Sequence, residues 1–133
     1  MIALRGVADR LDLLADDTIR LIDYKLSSAP QRSRALQLPV YALCAEQRLQ
    51  GHRDKHWTLG EAAYIAFRGP KRISPLFNAR SDRDQVLRDA QDKLVSAVND
   101  IEAGRFPPTP DDVFVCSFCS FAAACRKDYV GDV

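Results

Sequence analysis

Apolar positions in the first part of the chain follow a strand-like rhythm. Residues 2–14, IALRGVADRLDLL, and 18–25, TIRLIDYK, are rich in aliphatic and β-branched side chains, and the polar break Ala15-Asp16-Asp17 separates them. That combination predicts an antiparallel hairpin. After the loop SSAPQRS, Leu36, Val40, Leu43 and Gln47 recur at helical spacing. Pro39 requires this helix to begin near Ala35, with the proline in its first turn, or to bend there. Residues 61–69, EAAYIAFRG, predict a third strand, and 71–77, KRISPLF, a fourth that returns after the Gly69-Pro70 turn. Ser81, followed by Asp82 and Asp84, opens a second helix. Its residues Val86, Ala90, Leu94, Ala97, Val98 and Ile101 form one apolar stripe, expected to pack on the sheet and to stop at Gly104. RFPPTPDDV is too proline-rich for either element and predicts an extended connector leading into CSFCSFAAAC.

The expected architecture is therefore α/β, a small mixed β-sheet flanked by helices, in a single domain spanning 1–133. Residues 1–78 hold the hairpin, first helix and further strands, 79–104 the second helix, and 105–133 the connector and a C-terminal cysteine-rich loop. A chain of 133 residues with 47% hydrophobic and 28% charged residues has the composition of an ordinary globular domain. A net charge of +1 supplies no global field toward nucleic acid, so any contact with an anion must come from local patches. No apolar run approaches the roughly 18 residues that span a bilayer, and the N-terminus lacks a secretory pattern. The expectation is a cytoplasmic protein with no membrane partner. Strand-like sequence follows Met1 at once, so the chain reads as an N-terminally truncated fragment.

The hairpin carries the chemistry. Asp23 and Lys25 are two residues apart on one strand and share a face. With a three-residue loop, Leu14 faces Thr18 and Asp9 falls directly across from Asp23, Cβ atoms about 5 Å apart. A two-residue loop would place Asp9 opposite Tyr24 and part the carboxylates onto opposite faces. Two carboxylates so close survive by sharing a proton or a cation. With oxygen-only donors, including the backbone carbonyl of Tyr24, a hard ion, Mg²⁺ or Mn²⁺, is expected. Beside it, Lys25 would position a water and stabilise charge on a phosphate oxygen, the parts of a phosphodiester hydrolase. Asp12 and Tyr24 have the opposite parity: Asp12 is expected to pair with Arg10 or a neighbour, and Tyr24 to point into the core.

GVADRLDLL followed by IRLIDYK resembles the G-x-x-D-R-x-D and D-Y-K motifs of the PD-(D/E)XK nuclease superfamily, in its RecB/AddB-like branch. QLPVY then matches that branch's Q-x-x-x-Y motif through Gln37 and Tyr41, which lie on one helical face. The resemblance covers about Gly6 to Arg126 and implies a restriction-endonuclease-like core. It also implies that Asp9 and Asp23 bind the metal, that Lys25 is the catalytic lysine, and that Gln37 and Tyr41 line the active site and contact DNA. A first motif with a catalytic His or Glu would precede Met1. His52 and His56, in a polar loop, are expected at the surface.

Cys116, Cys119 and Cys125 form C-x2-C-x5-C, with Cys44 apart in the first helix. Four cysteines allow two disulfides, but a tight C-x-x-C in a cytosolic-looking chain favours metal ligation or redox chemistry, zinc being the generic expectation. The resemblance extends here too. AddB-like nucleases and CRISPR-associated spacer-acquisition nucleases close such a triplet with an upstream cysteine to hold a [4Fe-4S] cluster. That cysteine is missing from this chain, which leaves the cluster absent or damaged; Cys44 reads as a buried small apolar residue. Arg68, Lys71 and Arg72 flank the Gly69-Pro70 turn, and Arg32 and Arg34 precede the first helix, so both groups are placed to meet DNA phosphates. The reading is a Mg²⁺-dependent deoxyribonuclease, an exonuclease or part of a helicase-nuclease in double-strand break repair and recombination, partnered by DNA and by further domains or a helicase subunit. The rival keeps the fold without the reaction: a non-catalytic DNA-end-binding or scaffolding module stapled by its cysteines.

Overall fold

The computed structural model describes residues 3–31, 35–108, 110 and 113–125. They fall into two compact units, Met1–Leu94 and Val95–Val133. The first holds a four-stranded sheet in the order β1-β2-β3-β4. Its strands are β1 (Arg10–Leu13), β2 (Thr18–Lys25), β3 (Thr58–Ala66) and β4 (Ile73–Pro75). The β1/β2 and β3/β4 pairs are antiparallel, whereas β2 and β3 run parallel and are joined through helix α1 (Gln37–Leu49). The sheet is thus mixed, as the residue pattern implies.

The hairpin takes the register that the acid pair requires. Arg10 pairs with Ile22 and Leu13 with Ile19, and the Leu14 N–H donates to the Thr18 carbonyl at 2.9 Å, leaving Ala15-Asp16-Asp17 as the turn. Asp17 adopts φ +61°, the left-handed residue that closes three-residue hairpin loops and that Asp tolerates well. The Asp16 carboxylate accepts from the Thr18 hydroxyl at 2.6 Å and from its N–H at 3.2 Å, and the hydroxyl contact holds Asp16 below the usual carboxylate pKa.

Strand β3 begins three residues earlier than the expected start at 61, because its alternation changes phase. The parallel ladder slips between Ile19 and Arg20, opposite Leu59 and Glu61, so Gly60 is an extra residue. A Cβ there would stand 3.0 Å from Thr18 Cβ and Oγ1. The slip puts Leu59 and then Ala62, Tyr64 and Ala66 on the same buried face as Ile19, Leu21 and Asp23.

Helix α1 covers that face, but not with the expected stripe. Leu38, Pro39, Ala42 and Ala45 are buried, whereas Val40 and Leu43 are half-buried and Gln47 is exposed. Small side chains let the helix approach the sheet closely, and hydrophobicity by size points one position away from them. Pro39 sits in the first turn, where its missing N–H costs no helical bond. Trp57 seals the far end, its indole N–H donating to the His52 carbonyl at 2.8 Å. His52 and His56 are exposed, as expected.

Helix α2 spans Arg83–Glu102, with Asp82 Oδ1 accepting the Gln85 N–H at 3.1 Å as its cap. Its first turns enter the core: Leu87 joins the buried cluster with Val86 against it, and Ala90 is buried. In the second unit Val98 is half-buried, whereas Ala97 and Ile101 are exposed, so the apolar spacing there is only partly covered. Gly104, φ +68°, ends it. The Arg105 N–H reaches the Asp100 carbonyl and the Gly104 N–H reaches Ile101, the paired bonds of a glycine-terminated helix. Beyond, Val113–Phe118 is a short 3-10 helix followed by turns, and Phe106, Phe114, Phe118 and Phe121 are all exposed. Among the described residues no helix is long and apolar enough to cross a membrane.

Candidate active site

At the C-terminal end of β2 the sheet turns its buried face toward the start of α1. Asp23 lies on that face and is the buried charged residue of the described chain, 2% exposed. Burying a carboxylate is costly without a counter-charge. Lys25, two residues on and on the same side, supplies it: its Nζ stands 2.7 Å from Asp23 Oδ1, although that oxygen accepts no aligned hydrogen bond. The same ammonium donates to Gln37 Oε1 at 2.7 Å. Strand parity and the first residue of α1 thus bring Asp23, Lys25 and Gln37 into one cluster.

Asp9 stands just before β1, one step past the Arg10–Ile22 pair and therefore level with Asp23. Its Oδ2 accepts the Tyr24 N–H at 2.8 Å. The Lys25 carbonyl is engaged on the β3 side by the Phe67 N–H at 2.9 Å. Because neighbouring strand residues direct their backbone groups to opposite sides, the Tyr24 carbonyl faces the β1 side, where Asp9 stands. Asp12 bonds the Arg10 guanidinium at 3.0 Å, the structural pairing expected of it, and with Tyr24 it holds Arg10 more firmly protonated.

The Tyr24 ring corrects an expectation. It is 36% exposed, stacks on Phe67 with centroids 6.0 Å apart, and does not enter the core. The core of this sheet lies on the α1 face, opposite to the one its parity selects. Tyr41 is half-buried on α1, and the backbone of Gly6 presses on its ring: a Cβ on Gly6 would come within 2.8 Å of Tyr41 Cε1. Cys44, one turn on, is half-buried rather than fully buried and lines a cavity of about 740 Å³ shared by Tyr41, Gly6 and Leu21. A second cavity of about 790 Å³, with Ser28, Leu36, Pro39 and Lys71 among its lining, contains none of Asp9, Asp23, Lys25, Gln37 and Tyr41.

Tyr64 escaped the sequence reading. It is buried on β3 directly beside Asp23, its ring centroid is 5.5 Å from Lys25 Nζ, and its hydroxyl accepts the Leu38 N–H at 3.2 Å. Burial, and then the charge of Asp23, raise its pKa. The signal was present in the alternation Ala62, Tyr64, Ala66, since an inward tyrosine must find its hydroxyl a partner.

A family model describing the PD-(D/E)XK nuclease superfamily matches residues 1–126. The chain belongs to the PD-(D/E)XK nuclease superfamily. No curated protein and no solved structure matches it significantly. Its sheet is the mixed α/β core of the superfamily, and Asp9, Asp23 and Lys25 fall together at one end of that core.

Arg68 and Lys71 are exposed on the turn between β3 and β4, while the guanidinium of Arg72 closes that turn on the Phe67 carbonyl. Arg32 and Arg34 lie outside the described residues. Cys116 and Cys125 are half-buried and Cys119 is exposed. Among the described residues no three His, Cys, Asp or Glu side chains gather closely enough to share a metal.

Proposed function

We propose that this chain is the catalytic core of a divalent-metal-dependent DNA nuclease of the RecB/AddB-like kind, serving an exonuclease or helicase-nuclease in break repair and recombination. The observation that carries the reading is the buried Asp23 carboxylate held against Lys25, with Gln37 fixing the ammonium and Asp9 on the adjoining strand. A purely structural surface would not bury a charge at the open end of a sheet, where α/β folds bind their ligands.

The donor set fits a hard cation. Two carboxylates and the Tyr24 carbonyl are all oxygen, and Mg²⁺ commonly takes one or two carboxylates and completes its shell with water and substrate oxygens. Asp23 Oδ1 is buried and lacks an aligned hydrogen bond, so it has a lone pair to give. Asp9, Asp23 and the Tyr24 carbonyl would hold the ion, which when bound supplies Lewis-acid polarisation of a phosphoryl oxygen. Lys25 is 27% exposed at its side chain, enough for its ammonium to orient a water or meet a phosphate oxygen while Gln37 holds it. Gln37 and Tyr41 orient the strand, and Arg68, Lys71, Arg32 and Arg34 contact its phosphates. None of Asp9, Asp23, Lys25 and Gln37 lines either cavity described above, an open placement that suits a polymeric substrate. Assignment of Cys116, Cys119 and Cys125 to a [4Fe-4S] cluster or to zinc rests on the resemblance and their spacing, and no step uses them.

The test is cleavage of linear single- and double-stranded DNA with Mg²⁺, run beside Asp23→Ala. Cleavage lost in the variant supports the reading, and cleavage unaffected by it sinks the site. DNA binding by the native chain without cleavage would replace it with the end-binding module.

A further inference from the structure

We infer that Tyr64 is a positioning residue of this site, fixing the Lys25 ammonium and the first turn of α1 in one arrangement; its functional meaning rests on the nuclease reading above. Three contacts form a closed circuit. Lys25 Nζ lies 5.5 Å from the Tyr64 ring centroid and donates to Gln37 Oε1 at 2.7 Å. Gln37 is the first residue of α1, and the N–H of the next, Leu38, donates to the Tyr64 hydroxyl at 3.2 Å. The circuit returns to Lys25 through the ring.

Each link answers a physical need. The first N–H groups of a helix have no intrahelical acceptor, and α1 has no side-chain cap at Leu36, so the buried Leu38 N–H depends on Tyr64. A lysine attached by four rotatable bonds needs more than one contact to keep its head in place. The electron-rich ring face, the Asp23 carboxylate and the Gln37 amide oxygen each attract it. Tyr64 touches both the strand-borne half of the site, through Lys25, and the helix-borne half, through Leu38. Phenylalanine would keep the ring and lose the helix, and leucine would lose both. Nothing here asks Tyr64 to touch substrate.

The experiment compares Tyr64→Phe, Tyr64→Leu, Gln37→Ala and the Tyr64→Phe/Gln37→Ala pair with the native chain, using NMR and cleavage kinetics. In Tyr64→Phe the Leu38 amide should exchange about 10-fold faster, while the Lys25 ε-methylene protons keep their upfield ring-current shift. In Tyr64→Leu that shift should vanish as well. Cleavage by Tyr64→Phe should lose about 10-fold in kcat with KM within about twofold, and adding Gln37→Ala should cost less than it costs the native chain. Unchanged Leu38 exchange together with fully additive kinetics overturns the inference, as does a Lys25 shift that survives in Tyr64→Leu. Should the leucine variant not fold, the near-isosteric phenylalanine variant carries the decision. A native chain that does not cleave removes the nuclease reading and leaves the positioning role to be decided by the two NMR measurements alone.

Discussion

Asp23 and Cys119 are both reactive side chains introduced by short motifs, and they end in opposite circumstances. Asp23 is buried, with Lys25 at 2.7 Å, and its neighbour Tyr24 is tied by its N–H to Asp9. Cys119 is exposed in a run of turns, among phenylalanines that are themselves exposed. The difference lies in what each motif is built on. In a strand, residues two apart must face the same way, and pairing fixes what stands across from them, so D-Y-K spacing is already a geometry. In 3-10 and turn segments the same spacing fixes only a distance along the chain. Three thiols there acquire a geometry from whatever they bind.

Breaking the strand-borne half should have the largest effect. Lys25→Met leaves the Asp23 carboxylate buried without its counter-charge, and should reduce cleavage on the order of 10³-fold and stability by about 1–3 kcal/mol. Single-turnover kinetics and urea unfolding measure the two. Adding Asp23→Asn should restore much of the stability and none of the activity. A Lys25→Met protein as stable as the native one would mean that the pair is not what makes the burial tolerable.

Next in size is Gly6→Ala. The new methyl meets the Tyr41 ring within 2.8 Å and should cost about 1–3 kcal/mol by overpacking. The cost should shrink in a Tyr41→Ala background, and an undiminished cost there would point to the backbone of residue 6 instead. On the other side of the comparison, replacing Cys116, Cys119 and Cys125 together by serine should leave unfolding of the sheet unit within about 0.5 kcal/mol. A larger loss would show that the thiols already support the first unit.

The smallest effect concerns the turn that sets the register. Thr18→Val removes the hydroxyl that holds Asp16 below the usual carboxylate range, so its pKa should rise toward the ordinary value in an NMR titration. Since the native pKa is depressed, this interaction contributes stability above the ordinary carboxylate range and loses it as pH falls through the folded pKa. The native chain should therefore lose more of its stability on acidification than the variant does. Equal pH dependence would exclude Asp16 as a support of the hairpin.

Much of this was legible in the residues alone, for local reasons. The three-residue turn, the level placement of Asp9 and Asp23, and the shared face of Asp23 and Lys25 follow from strand parity and one turn length. Three things were not legible. Tyr24 was assigned to the core because parity sorts residues into two faces without saying which one the helix covers. The buried side of α1 was misread because Ala42 and Ala45 pack closely by being small, and carry little hydrophobic signal. Tyr64 went unnoticed because its partners, Lys25 and Leu38, lie far from it in the chain, and only the parallel pairing brings them together.

The slip at Gly60 has a consequence for where this chain can change length. Strand β3 carries one residue more than its ladder with β2 uses. Deleting Gly60 would leave Leu59 and Tyr64 four positions apart, still on the inner face, with Glu61 still opposite Arg20. Deleting Ala62 or Ala63 instead would either turn Tyr64 outward, away from Lys25, or, with the slip taken up, turn the charged Glu61 inward beside Leu21. Two neighbouring single-residue losses in one strand should therefore differ sharply in outcome, the glycine being the residue the sheet can spare.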